Sequence, residues 1–352
     1  MAGLTIVFYV SGHGFGHASR SIEIINALTE RQPGLKVIIR SSVAAWLVHR
    51  TARPGVTLKP VEVDTGIVQL DSLNLDAKSS IERAEHFMAT FDKRVAAEVS
   101  FLRQHHATMT VSDLPALGIA AGNAAGIPAI ASGNFTWDWI YEYYEGGRNV
   151  ARQIGNVYET TTFALRMPMW GGFQTMPDVR DIPFVARRSR RDPDEVREAL
   201  GVPLNQRVVL TSFGGYGLAG LNEDTLLSMD GYHILLPGMI DENAMYDRGY
   251  RYEDLVRAVD VVVTKPGYGI ISECIANDTA LLYTSRGDFR EYHLLVKTMP
   301  KYLRCAFIDH ADLFAGRWPR HLDALLAQAT SPGRPAINGA DVAADILSSQ
   351  VS

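Results

Sequence analysis

Cysteine is almost missing from these 352 residues: Cys274 and Cys305 are the whole complement, in neither a CxxC nor a Cys/His spacing. That excludes a disulfide framework and a zinc site of the usual ligand pattern. Each thiol reads as a small buried apolar group, Cys274 on a helical stretch and Cys305 at the start of a strand. No apolar run reaches the ~18 residues of a membrane span, so no transmembrane segment is expected. The N-terminal stretch from Met1 to Val10 has no basic region and no cleavage site. It reads as a buried strand rather than a signal peptide, and a cytoplasmic protein is expected. Lysine is scarce as well, seven against twenty-seven arginines, and 34 basic residues stand against 39 acidic ones for a net charge of −5. That balance lacks the basic face of a general nucleic-acid binder, so no nucleic-acid partner is expected.

What is present is a globular composition, 47% hydrophobic and 21% charged, at a length that suggests two domains of ~150 residues each. Strand-like runs at Thr5–Val10, Lys36–Arg40, Val56–Val61, Met109–Ser112 and Ala129–Ser132 alternate with amphipathic stretches at Ser19–Arg31, Ser79–Gln104 and Leu117–Ala125. Such alternation predicts βαβ units and a parallel sheet. From Trp137 to Trp170 runs an aromatic region read as helical, and Pro177–Asp194, rich in Pro and Arg, is the best linker. The alternation then restarts, with strands at Arg207–Leu210, Tyr232–Leu236, Val261–Val263, Ala280–Tyr283 and Ala306–Ile308, and helices at Asp194–Leu200, Gly269–Ala276, Arg290–Met299, His321–Ala329 and Ala340–Ser349. The expectation is an α/β chain of two Rossmann-like halves, residues 1–182 and 183–352, with an interdomain cleft and the last helix free to pack back on the first half. Ligands of such sheets bind beyond the carboxyl ends of the strands, so motifs placed just after strands carry the functional reading.

The first motif, Ser11-Gly-His-Gly-Phe-Gly-His-Ala-Ser-Arg20, follows strand one and opens a helix. Its glycines allow a tight turn and close backbone approach, and the helix start offers free N–H groups to an anion. It is neither a GxGxxG fingerprint nor a P-loop. His13 and His17 are general-base candidates, because an imidazole titrates near working pH; the alternative is a pair of structural loop histidines. Asp113, at the end of another strand, either orients such a histidine or caps the helix that follows it. Asn134-Phe-Thr-Trp-Asp-Trp-Ile-Tyr-Glu-Tyr-Tyr144 reads either as a packed aromatic helix or as the acceptor-side wall of the site. Gly14, Phe15, Arg20, Asn134, Trp137 and Asp138 are the acceptor-side candidates.

In the second half, Thr264-Lys-Pro-Gly-Tyr-Gly-Ile-Ile-Ser-Glu-Cys274 again joins a strand to a helix. Gly267 and Gly269 allow close approach, Lys265 supplies a point charge for a diphosphate, and Glu273, next to Ser272, either reaches a ribose diol or is a solvated helix carboxylate. Ser212-Phe-Gly214-Gly215 is a second phosphate-cradling turn, and Arg286–His293 brings polar groups to a third strand end. Asp192-Pro-Asp194 has the form of a metal-gripping DxD, but its place before Glu195-Val-Arg-Glu makes it a helix cap. No metal and no cofactor are expected.

Together these segments resemble the GT-B glycosyltransferases. Thr264–Glu273 is similar to the donor loop of the diacylglycerol glycosyltransferases and of the peptidoglycan N-acetylglucosaminyltransferases (MurG), which implies donor contacts for Lys265, Gly267 and Glu273. The resemblance further implies that Ser212–Gly215 faces the diphosphate and that Glu291, Tyr292 and His293 lie near the donor sugar. Gly12–Arg20 with Asn134–Tyr141 resembles the glycosyltransferase-like region of plant L-arabinokinases, without any GHMP-type phosphate loop. Gly14–Arg20 is also similar to the loop of the UDP-sugar hydrolase of pseudaminic acid biosynthesis, which implies that His17 activates water. Plant secondary-product transferases carry His-Cys-Gly-Trp where Lys265-Pro-Gly-Tyr stands here. The implied activity is an inverting, metal-independent transfer from a nucleotide sugar, a UDP-sugar, to a small-molecule, lipid or glycan hydroxyl. A nucleotide-sugar hydrolase and a non-catalytic nucleotide-sugar-binding module stay open as alternatives.

Overall fold

The computed structural model describes residues 4–214, 217–330 and 333–350. They divide into two compact units. Of these described residues, the first comprises 4–68, 75–185 and 336–350, and the second comprises 69–74 and those between 186 and 335.

The first unit is built on a sheet of seven parallel strands: β1 (Thr5–Val10), β2 (Lys36–Ser41), β3 (Val56–Pro60), β6 (Met109–Asp113), β7 (Ala129–Phe135), β8 (Phe163–Gly171) and β9 (Val179–Asp181). Two short strands, β4 (Val68–Gln69) and β5 (Leu75–Asp76), form a separate ladder. The large sheet runs in the order β3-β2-β1-β6-β7-β8-β9. Parallel strands are covered on both faces, so they read as continuous apolar runs; every residue of β1 is buried. One core cluster joins Val7, Tyr9 and Ile38 of the sheet to Leu102 and Ala121 of the covering helices. The terminal helix Gly339–Ser349 belongs to this unit, with Gly339 N donating to the Phe184 carbonyl at 2.9 Å and Arg31 paired with Asp341 and Asp345. Residues 183–185 and 336–350 therefore lie with the first unit rather than with the residues between them.

The second unit has five parallel strands in the order β11-β10-β12-β13-β14: β10 (Arg207–Thr211), β11 (Tyr232–Leu235), β12 (Val261–Thr264), β13 (Ala280–Tyr283) and β14 (Cys305–Phe307). Its core gathers Val209, Ile234, Val261, Val263, Leu282, Ile308, Leu313 and Trp318. Among the described residues no helix is long and apolar enough to cross a membrane.

Four local expectations change. The amphipathic stretch Ser79–Gln104 is two helices, Ala77–Ala89 and Phe91–Gln104, because Thr90 leaves helical geometry at φ −110°, ψ 9°. The aromatic region splits into the helices Trp137–Glu142 and Arg148–Tyr158 and then becomes a strand, β8, since the pairing Ile130↔Phe163 to Gly133↔Arg166 outweighs local periodicity. The linker contains the edge strand β9 and ends at Asp192, whose carboxylate accepts from Asp194 N at 2.9 Å and Glu195 N at 3.4 Å, capping the helix Pro193–Leu200. Both thiols are free; Cys274 is buried, but Cys305, on the outermost strand β14, is only partly so.

Candidate functional site

In the first unit, sheet register brings two strand ends together. Val10 of β1 pairs with Asp113 of β6, and Ser11 N donates to the Asp113 carbonyl at 3.1 Å. The loop after β1 turns at Gly14, whose φ of +74° is comfortable only without a Cβ. It enters the helix Phe15–Arg31, which has no side-chain cap at its start. Its first turns carry His17, Arg20 and Ser21 inward, all buried, because residues three and four apart share a helix face.

These side chains converge on Asp113. His17 Nδ1 lies 2.8 Å from Asp113 Oδ1, Arg20 Nε donates to Oδ2 at 2.6 Å and Arg20 Nη2 to Oδ1, and Ser21 Oγ donates to Oδ2 at 2.9 Å. Burial would raise this carboxyl; the charge of Arg20 first, then that of His17, outweigh it and hold Asp113 at about 2. The carboxylate is therefore ionised and orients His17 through Nδ1. Nε2 of His17 makes no hydrogen bond among the described residues, the arrangement a general base needs. The capping alternative for Asp113 fails, since the helix Ala116–Ala125 begins at Pro115 with no side-chain cap.

The remaining acceptor-side candidates divide. Arg20 also donates to Asn134 Oδ1, and both are buried, so these two hold the dyad rather than face solvent. Trp137 is buried with its ring stacked on His17, centroids 6.0 Å apart; it is at once core and backing for the His17 ring. Asp138 accepts from Trp139 N at 2.8 Å and Thr175 Oγ1 at 3.1 Å, and burial raises its carboxyl. Phe15 is exposed, edge-on to exposed Trp46 at 5.5 Å. His13 sits over Gly66, where a Cβ would come 2.8 Å from the ring, and its centroid is 6.5 Å from that of His17. One residue in this set has no sequence motif: Asp64, bonded to Ser11 Oγ at 3.0 Å. Its only signal was its place soon after the end of β3.

In the second unit, the loops after β10, β12 and β13 leave the same sheet edge, as the pairs Thr211↔Val263 and Thr264↔Tyr283 show. Lys265 Nζ donates to Gln69 Oε1 at 3.2 Å. Burial, then the charge of Arg286, lowers the Lys265 ammonium to about 8. Arg286 Nη1 donates to the Pro266 carbonyl at 2.9 Å and lies 3.6 Å from Oε2 of buried Glu291. Gly267 begins the ten-residue helix Tyr268–Asn277, which has no side-chain cap, so two cations stand by the start of a helix, a setting suited to phosphate. Gly269 gives its carbonyl to Ser272 Oγ at 2.9 Å inside that helix. Ser212 Oγ pairs with Tyr252 OH at 2.6 Å, and exposed Gly214 has a φ of +73°; Gly215 lies outside the described residues. Tyr292 is partly exposed, its ring edge-on to His293.

Glu273 is neither solvated nor open. It is buried and bound by Arg187, whose Nε donates to Oε1 at 2.7 Å. Burial raises its carboxyl and Arg187 opposes that shift. Arg187 escaped sequence reading because it stands in an Arg-rich segment that has every mark of a solvated linker.

No protein-family model matches the sequence. The chain is 28% identical to L-arabinokinase of Arabidopsis thaliana over 98% of its own length and 34% of that protein's. It is 25% identical to an uncharacterized glycosyltransferase of Methanopyrus kandleri, over 57% of this chain and 63% of that one. It thus spans about a third of one curated relative and under two thirds of the other. Among solved structures, Medicago truncatula UGT71G1 complexed with UDP-glucose matches with a TM-score of 0.63 at 12% identity, covering 99% of both chains. Acinetobacter baumannii MurG matches with a TM-score of 0.53 at 12% identity, again covering 99% of both. The chain has the GT-B fold.

Proposed function

We propose that the chain is a glycosyltransferase that moves a sugar from a UDP-sugar to an acceptor hydroxyl by an inverting, metal-independent displacement. The observation that carries this reading is His17, held through Nδ1 by ionised Asp113 at the carboxyl end of a parallel sheet. His17 Nε2 takes the acceptor proton, the acceptor oxygen bonds the anomeric carbon, and the bond to the diphosphate breaks with its electron pair leaving on the nucleotide. Attack opposite the leaving group inverts the centre. Lys265, Arg286 and the N–H groups opening Tyr268–Asn277 neutralise the departing diphosphate, the electrostatic role a divalent ion has elsewhere. Ser212, Gly214 and Gly267 line the phosphates, while Glu291 and Tyr292 serve the donor sugar. The acceptor is a small molecule, lipid or glycan, and the free thiols suit a reducing compartment such as the cytoplasm.

The test is a thermal-shift screen of nucleotide sugars, followed by nucleotide release with and without candidate acceptors. Release that depends on an acceptor and is lost in His17→Ala supports transfer. Release at full rate without an acceptor makes the chain a hydrolase. Binding without turnover, unchanged by His17→Ala, makes it a binding module and sinks the proposal.

A further inference from the structure

Asp113 orients His17, yet its charge is already matched. Both Nε and Nη2 of Arg20 sit on its two oxygens, and a guanidinium–carboxylate fork is neutral as a unit. The charge of His17 acts on Asp113 as well, but second to that of Arg20, so Asp113 is shared between two cations. A base that takes a proton in a buried place needs a counter-charge, because burial disfavours the charged imidazole.

Asp64 makes no ion pair among the described residues, so its charge is not shared with a guanidinium. Its Oδ1 accepts from Ser11 Oγ at 3.0 Å, two residues before His13 in the loop that leads to the base. Its Oδ2 is sealed from solvent with no hydrogen bond of good geometry, as is Trp137 Nε1, and that indole is near enough to ease the carboxylate's ionisation. The Trp137 ring in turn stacks on His17. The titratable groups around Asp64 come from each neighbouring element: His17 on the first helix, Asp113 ending β6, Tyr141 on Trp137–Glu142 and Tyr158 on Arg148–Tyr158. His13 packs on Gly66 of the same loop. Of the groups that act most strongly on Asp64, His17 is the one able to become a cation.

We infer that Asp64 is a positioning residue for the base: its carboxylate, beside that of Asp113, is a second counter-charge for His17 when the imidazole takes up a proton. Its consequence for turnover rests on the glycosyltransferase reading; its measurement does not. Burial pushes the Asp64 carboxyl up to about 6 against the pull of Ser11 and His17. The counter-charge therefore appears in the range where imidazoles ordinarily change charge.

The test is an NMR pH titration of the His17 ring Cε1–H in the full chain. In Asp64→Asn the midpoint falls by about one pH unit, the usual effect of removing one nearby opposite charge, while Asp64→Glu stays near wild type. Ser11→Ala keeps the carboxylate but removes the donor to its charged form, so it lowers the midpoint by less. A folded Asp64→Asn whose midpoint is unmoved overturns the inference; where that variant does not fold, an unmoved midpoint in Ser11→Ala overturns it. In turnover, Asp64→Asn lowers kcat with KM for the donor unchanged and moves the acid limb of the pH profile. A chain that turns over no nucleotide sugar defeats the proposed function, and the titration still decides the role of Asp64.

Discussion

Arg187 places both Nε and Nη2 on a single oxygen of Glu273, at 2.7 and 2.5 Å. The guanidinium also lies 3.7 Å from Glu253 and 5.4 Å from the Tyr252 ring centroid. The carboxylate that the family resemblance would give to a ribose is thus engaged within its own unit. Any sugar diol that reaches Glu273 shares it with Arg187 or displaces that side chain.

This pair makes a prediction about stability. Arg187→Ala or Glu273→Ala strips a buried charge of its partner and costs roughly 3 kcal/mol. The double variant loses less than the sum of the two. Urea denaturation of the four proteins measures the coupling, and strictly additive losses would show that the two side chains act independently.

Lys265 makes a prediction about pH. Its ammonium, lowered to about 8 by burial and by Arg286, is charged at pH 7 and largely neutral at pH 9. UDP affinity measured by calorimetry therefore falls several-fold, up to roughly tenfold, across that interval. Lys265→Arg keeps its charge throughout and flattens the dependence; an equally steep fall in that variant would assign the titration to another group.

For the two histidines the expected outcomes differ. His17→Ala lowers acceptor-dependent nucleotide release by roughly 10²–10⁴-fold, the range for loss of a general base, with donor affinity unchanged. His13→Ala, whose ring packs on Gly66, loses less. Equal losses in the two variants would remove His17 from its assigned place.

Asp113 and Asp64, both in the first unit, pull acid stability in opposite directions. Asp113 is lowered from 3.8 to about 2, so its contribution of roughly 2 kcal/mol is present above the ordinary carboxylate range and is lost as pH falls through 2. Asp64 is raised from 3.8 to about 6, so its ionisation costs stability as pH rises through that window. Asp113→Asn accordingly weakens the fold at pH 7 but not near pH 2. Asp64→Asn gains on wild type between pH 4 and 7. Thermal unfolding across pH 2–8 separates the two, and parallel curves would contradict both assignments.

Local pattern was sufficient wherever an apolar run met a glycine turn at a strand end. Thr5–Val10 followed by Gly12-His-Gly14, and Val261–Thr264 followed by Pro266-Gly267, announce strand, loop and helix within a few residues. The doubly wound fold and the positions of His17, Asp113 and Lys265 follow from that sequence alone, because burial on both sheet faces dictates the run and the turn dictates the glycine. Tertiary structure decided the partners. Arg20 and Asp113 are 93 residues apart and Arg187 and Glu273 are 86 apart, and no helical or strand period links residues at such distances. An arginine in a helix or linker has the same sequence signature whether it ends in solvent or on a buried carboxylate. Asp64 carries no motif at all, and only the fold brings Ser11, Trp137 and His17 near enough to act on its carboxylate. Likewise Phe163–Gly171 became a strand through its ladder with β7, a non-local choice that its own composition does not record.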